Sequence, residues 1–432
     1  MTAPRRSLSL LDCVGIGING IIGSGIFLLP TRVFAAAGAF SWAAWFVIGG
    51  VCLLVGLCFG EAAGRTDHNG GPYVYARDAF GATAGVAVGW MALASVLLGY
   101  GAVARALGRN LSYLIPALSS EGGQVALALA IIAFLTALNW RGVKPGAIAS
   151  DLFSGAKLVP IVLFIGAGLF FVDWSRIGTT TPAGSTHWGA LKLGGIAALF
   201  ACTGFEYVPV PAGETDKPRR NVPLALIGSL FGATLLYALV QIVFVGTHPN
   251  PAAADKPLAE AATAFAGAWA GRFVTIGAVV SSFGFCAGVA LVAPRYLAVL
   301  GEDAAFPRVL ARRHPRFGTP TVAIAATAVL TAGLAVFADF DRLSDLSNAA
   351  VFAQYVPTCL AVLVFRRRRE TRGGFVLPFG PLIPILATAG CLLFLNGIKN
   401  ADVIFSVVVL AAGLSLHAAY LLLRPRAGPA AG

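Results

Sequence analysis

Apolar residues run along this chain in blocks of about 20, separated by short stretches that hold most of its Pro, Asp, Glu, Lys and Arg. A helix rising about 1.5 Å per residue needs about 20 such residues to cross a hydrocarbon layer roughly 30 Å thick. About twelve blocks qualify. They fall roughly at 11–36, 40–63, 84–108, 123–140, 149–172, 190–212 and 223–246, then at 271–299, 319–338, 345–365, 376–397 and 400–423. The joining segments are too short for a separate soluble domain, so the pattern predicts a single all-α integral membrane domain over residues 1–432.

Composition agrees: 57% of the 432 residues are hydrophobic and 12% charged, against about a quarter charged in a soluble domain. The 52 Gly and 24 Pro would suggest disorder in a polar chain, but membrane helices are enriched in both, because small residues allow close packing and prolines allow breaks. The seven cysteines, nearly all inside apolar blocks, lack the paired spacing of a zinc or redox site and act as small packing residues. His68, His187, His248, His314 and His417 lack ligand spacing, so no metal and no cofactor is expected. Arg5 and Arg6 precede an apolar run too long for a cleaved leader, which predicts a retained anchor.

The net charge of +12 does not point to nucleic acid, since the basic residues lie in short loops and form no face of a soluble module. Lys and Arg concentrate in cytoplasmic loops of membrane proteins. With a cytoplasmic N-terminus, 21 of the 31 basic residues fall in the tails and every second loop and nine on the other side, with Lys157 within a span. The clusters Arg308 to Arg316 and Arg366 to Arg372 weigh most, and one helix more or fewer before them would move them outside. The count predicts an even number of spans and both termini in the cytoplasm, with the chain in the cell (inner) membrane.

Two blocks look interrupted. The first contains Gly15, Gly17, Gly20, Gly23 and Gly25 with Asn19 and Ser24, and each Gly costs a helix about 1 kcal/mol relative to Ala. Close helix packing through small residues is one explanation; an unwound segment is the other. The sixth contains Phe200-Ala201-Cys202-Thr203-Gly204-Phe205-Glu206, five helices later, with a glycine and an acid in mid-membrane. Interruptions at corresponding positions of two halves point to an inverted repeat with a central site. Broken helices expose N–H groups at one half-helix start and C=O groups at the other half's end, and an amino acid has a carboxylate and an ammonium to match them.

At these residues the chain resembles the amino acid, polyamine and organocation permease superfamily. Its first-helix motif is matched by Gly23-Ser24-Gly25-Ile26-Phe27, followed in order by Gly70-Gly71-Pro72-Tyr73, Leu138-Asn139-Trp140-Arg141, Lys157-Leu158-Val159-Pro160 and Gly204-Phe205-Glu206. Pro218-Arg219-Arg220-Asn221-Val222-Pro223, Arg295 with Glu302-Asp303 and Gly318-Thr319-Pro320 extend the likeness over nearly the whole chain. The resemblance implies about 12 transmembrane helices, with helices 1 to 5 (8–172) and 6 to 10 (190–370) as inverted halves, discontinuous helices 1 and 6, and two added helices (376–423). It also implies alternating access to a site near the midplane between helices 1, 3, 6, 8 and 10.

On that footing, backbone groups around Gly23, Ser24 and Gly25, with the Ser24 hydroxyl, would receive a substrate carboxylate. Carbonyls near Ile21 and Ile22 and in the helix 6 break at Thr203 and Gly204 would receive the amine. Phe200 aligns with an aromatic gate, though it is one of 29 phenylalanines and a packing role stays open. Lys157 either snorkels to the interface or is buried against the unwound part of helix 1 with Ser281 or Ser282, where sodium-coupled relatives hold an ion; a buried ammonium there can also carry a proton. Glu206 is either an acceptor for freed backbone N–H groups or a proton-linked gate. Glu61 and Arg295, near cytoplasmic helix ends, either anchor those ends at the interface or pair in a closed-gate contact, with anchoring the expectation.

The expected function is secondary active transport of an amino acid, as proton symport, with exchange or polyamine and organic-cation antiport as the alternatives. A channel would need a filter-like segment or a ring-forming acidic motif, and a membrane enzyme clustered His, Asp or Cys; neither pattern is present.

Overall fold

The computed structural model describes residues 8–65, 70–142, 147–210, 215–368 and 375–423, without the side chains of 147–154. Arg5, Arg6, His68 and the part of the Arg366 to Arg372 cluster from Arg369 onward lie outside the described residues.

The first span is three pieces, α1 (Leu10–Ile21), α2 (Gly25–Leu28) and α3 (Pro30–Ala37), followed by α4 (Ser41–Ala63), α5 (Pro72–Phe80), α6 (Ala82–Leu111), α7 (Glu121–Trp140) and α8 (Ala147–Gly168). Then come α9 (His187–Cys202), α10 (Pro218–Thr247), α11 (Pro257–Ala266), α12 (Ala268–Glu302), α13 (Thr321–Phe337), α14 (Phe340–Arg367), α15 (Leu382–Leu395) and α16 (Asn400–Leu423). Helix starts follow local chemistry. A capping box of Ser9 and Asp12 begins α1, the side chains of Ser120, Thr186 and Asp339 cap α7, α9 and α14, and Pro occupies the first turn of α5, α10 and α11.

Nine described helical segments are long and apolar enough to cross a membrane, and three shorter apolar ones accompany them, Gly155–Phe171, Thr321–Phe337 and Leu382–Leu395. The fold is therefore all-α and polytopic, as expected. Two short helices depart from the expectation: α5 and α11 fill segments that hydropathy alone assigns to loops, because they are amphipathic and too short to span.

Contacts between helix ends sort by parity. Glu61, ending the second span, pairs with Arg366, ending the tenth; Thr319 before the ninth bonds the Trp140 carbonyl after the fourth; and Leu8 bridges Thr215 before the seventh. On the opposite face Arg32, Arg109, Asp255 and Asp341 meet from the first, third, seventh and ninth connections. A chain with twelve crossings sorts its loops this way.

Helix pairing repeats between halves. α4 packs on α9 as α10 packs on α1, α6 on α14 as α12 on α8, and α5 on α6 as α11 on α12.

Candidate functional site

The helical bond from Ile22 N–H to the Ile18 carbonyl (2.9 Å) is the last of α1, after which Ile22 turns out of the helix at ψ 89° and residues 22–24 are non-helical. α9 stops at Cys202, and Gly204 takes φ +101°. The two interruptions touch: a Cβ on Gly204 would lie 2.1 Å from the Gly20 carbonyl oxygen. No side chain fits between the two backbones, and the left-handed φ excludes other residues independently. Likewise, a Cβ on Gly25 would come within 2.8 Å of the Ala201 Cβ.

The carbonyls freed at the first break are met by side chains from three other helices. Lys157 of α8 is fully buried, and its Nζ donates to Asn19 Oδ1 (2.6 Å), the Ile22 carbonyl (2.8 Å) and the Asn19 carbonyl (3.3 Å). Ser281 of α12 donates to the carbonyls of Ile22 (3.1 Å) and Gly23 (3.0 Å), and Tyr237 of α10 to that of Ile21 (3.0 Å). α8 and α12 come together because Gly277 leaves room for Pro160, where a Cβ would sit 2.5 Å from the ring. Lys157 therefore does not reach the interface, and of the two serines considered only Ser281 touches the break, since Ser282 bonds Ala278 in its own helix (2.7 Å).

At the second break Glu206, 1% exposed, accepts from Gly204 N–H (2.8 Å) and from the Tyr355 hydroxyl of α14 (3.0 Å). Thr203 donates to the Phe200 carbonyl (2.8 Å).

Between the breaks lies a narrow cavity. Ile21, Gly23 and Gly25 form one wall, and Phe200, Ala201, Thr203, Glu206 and Tyr207 a second. α6 adds Ser95, Gly99 and Val103, α12 Phe285 and α14 Ser347. These are the first, third, sixth, eighth and tenth spans. Of the residues expected from sequence to receive the substrate, Ile22, Ser24 and Gly204 do not line it. The Ile22 carbonyl is occupied by Lys157 and Ser281, and Gly204 packs the breaks together. The Ser24 hydroxyl is fully buried without a hydrogen-bond partner among the described residues. The Ile21 carbonyl also accepts from Gly23 N–H (3.1 Å), so both its lone pairs are engaged.

The cavity is closed at both ends. Towards the N-terminal face Phe59, Phe205 and Tyr355 stack edge-on and tilted, with centroids 5.2–5.9 Å apart. Beyond them Glu61, fully buried, accepts from Arg366, Arg65 (2.8 Å) and Leu377 N–H (2.9 Å). Glu61 thus joins α4 to α14 by pairing, the alternative to the interfacial anchoring expected of it. At the other end Phe200 packs edge-on against Phe340, and Arg32 pairs with Asp345 (2.6 Å) and Asp341 (3.3 Å).

Asn19, Tyr237, Tyr355, Ser95 and Ser347 are absent from the sequence expectation. Only Asn19 carried a signal, as the one amide side chain in a glycine-rich apolar run; the others look like ordinary helix residues until the helices are assembled.

Two adjoining helix breaks around a central cavity, closed at both ends, define a membrane carrier of the broken-helix class. Residues 8–419 match the amino acid permease family, to which the chain belongs. It is 29% identical over 427 residues to a serine/threonine exchanger of Bacillus subtilis, covering 96% of each chain. It is 27% identical over 433 residues to the methylthioribose transporter of that organism, covering 96% of this chain and 93% of the relative. To its branched-chain amino acid permease it is 25% identical over 435 residues, with the same two coverages.

Proposed function

We propose that this protein carries a small zwitterionic amino acid across the cell membrane by alternating access, with a proton moving on Lys157. One observation carries the coupling: an ammonium, excluded from water, bonds three oxygens at the break in α1. A fixed cation there does what a bound metal ion would do, holding unwound carbonyls together, and unlike a metal ion it can release a proton in place. Losing that proton removes a donor from the Ile22 or Asn19 oxygens, which loosens α1 against α8.

The substrate carboxylate faces the backbone at Gly23 and Gly25, at the start of α2, where no helical carbonyl precedes. The ammonium goes to the carbonyl end of α9 at Ala201 to Thr203, since the oxygens of Ile21 and Ile22 are engaged. Phe200 covers the site, and Glu206 caps the second break. The inverted halves 8–172 and 190–370, cytoplasmic termini and an inner-membrane location belong to the same reading.

Exchange is the second reading, favoured by the relative named as a serine/threonine exchanger. Purified protein in liposomes, given a labelled amino-acid panel, separates them. Uptake driven by an inward proton gradient into empty vesicles, lost in Lys157→Ala, is the expected result. Uptake only into vesicles preloaded with amino acid makes the protein an exchanger and removes the coupling role of Lys157.

A further inference from the structure

We infer that the cavity selects amino acids with a short hydroxyl-bearing side chain, and that Ser95 and Ser347 set this preference; the inference rests on the amino-acid reading above. With the substrate's charged groups at the two breaks, its side chain meets the wall built by α6 and α14, where Ser95, Gly99 and Ser347 line the cavity.

The polarity of that wall follows from where its protons already go. Ser95 donates to the Ala92 carbonyl (3.0 Å), Ser347 to the Ser95 carbonyl (3.1 Å) and Thr203 to the Phe200 carbonyl (2.8 Å). Gln354 donates to the Ser95 oxygen (3.1 Å), which uses one of its lone pairs and fixes the hydroxyl. A hydroxyl has a single proton, so these three groups offer a substrate lone pairs only. Glu206 adds a further acceptor, and no lining residue is Lys, Arg, His, Asn, Gln or Trp. The phenol of Tyr207 is the one other hydroxyl among them.

The acceptors of Ser95, Ser347, Thr203 and Glu206 sort side chains by chemistry. A hydroxyl donates to them. An aliphatic group of equal size leaves the lone pairs unmatched, and a carboxylate sets oxygen against oxygen. A long cationic chain could donate, but Phe285, Val103 and Phe200 close the cavity around a short one. Sites built to bond a substrate hydroxyl reject analogues lacking it far more strongly than apolar pockets reject a missing methylene.

The test is equilibrium competition against a bound labelled amino acid in detergent, which needs no transport. Serine and threonine are expected to compete at least tenfold better than alanine and valine. In Ser347→Ala, and in Ser95→Ala, the threonine-to-valine ratio should fall several-fold while valine affinity holds or improves. Equal competition by valine, better competition by asparagine or by lysine and arginine, or unchanged ratios in both variants overturns the inference and leaves amino-acid recognition intact. If no amino acid binds, the reading under Proposed function fails and takes this one with it.

Discussion

The break in α1 and the break that ends α9 leave backbone groups unpaired in the same layer of the molecule, and they are repaired with opposite charge. The first exposes carbonyls, and a cation from α8 with hydroxyls from α10 and α12 donates to them. The second exposes an N–H, and Glu206 from its own strand of backbone accepts it, steadied by Tyr355 of α14. Lys157 of α8 and Tyr355 of α14 each reach a break from another helix. The chemistry is not equivalent. The first repair depends on side chains from three other helices, whereas the carboxylate of the second comes from the broken segment itself.

Gly204→Ala should have the largest effect. The left-handed backbone alone costs a non-glycine roughly 1–2 kcal/mol, and a methyl 2.1 Å from the Gly20 oxygen must part the two breaks. Thermal unfolding in detergent should drop by several degrees or the folded protein should not be recovered. Gly228→Ala, in a helix with nothing within 4 Å of the new methyl, should be neutral. An unaffected Gly204→Ala would mean that the breaks are not in contact.

Lys157→Ala comes next. It orphans oxygens that cost about 1–3 kcal/mol each when buried unpaired, and uptake should fall at least tenfold and lose its gradient dependence. Lys157→Arg should not rescue it, because the planar guanidinium cannot replace a compact ammonium among three converging oxygens.

The two tyrosines sharpen the contrast at about 1 kcal/mol each, the net worth of one buried hydrogen bond. Tyr237→Phe, at the first break, should change the proton dependence of uptake. Tyr355→Phe should lower substrate affinity a few-fold and leave that dependence in place. The reverse pattern would assign coupling to Glu206.

The smallest effects separate adjacent serines. Ser281→Ala removes a donor to Ile22 and Gly23 and should cost about 1 kcal/mol, whereas Ser282→Ala should stay within about 0.5 kcal/mol, since its hydroxyl serves only its own helix. Equal losses would place the break's support elsewhere.

What the sequence discloses follows from its physics. Spans are legible because hydrocarbon thickness imposes a length, and the breaks because glycine and acid are costly at membrane depth; thus Gly23, Gly204, Lys157 and Glu206 all stood out before any coordinates. Tyr237, Ser95 and Ser347 did not, because a buried hydroxyl on an apolar helix commonly bonds its own backbone, and nothing in one sequence tells which helix it faces. For Glu61 pairing was legible only as the alternative to interfacial anchoring, because its partner Arg366 lies 305 residues away. The amphipathic α5 and α11 escaped a criterion built on spanning length.

The most direct test of the central claim is proton movement itself. Vesicles holding wild type or Lys157→Met, with a pH-sensitive dye inside and no imposed gradient, receive substrate from outside. The account predicts that the lumen acidifies as substrate enters with the wild type and does not with the variant. Equal acidification in both, or substrate entry with no acidification in the wild type, would contradict a proton carried on Lys157.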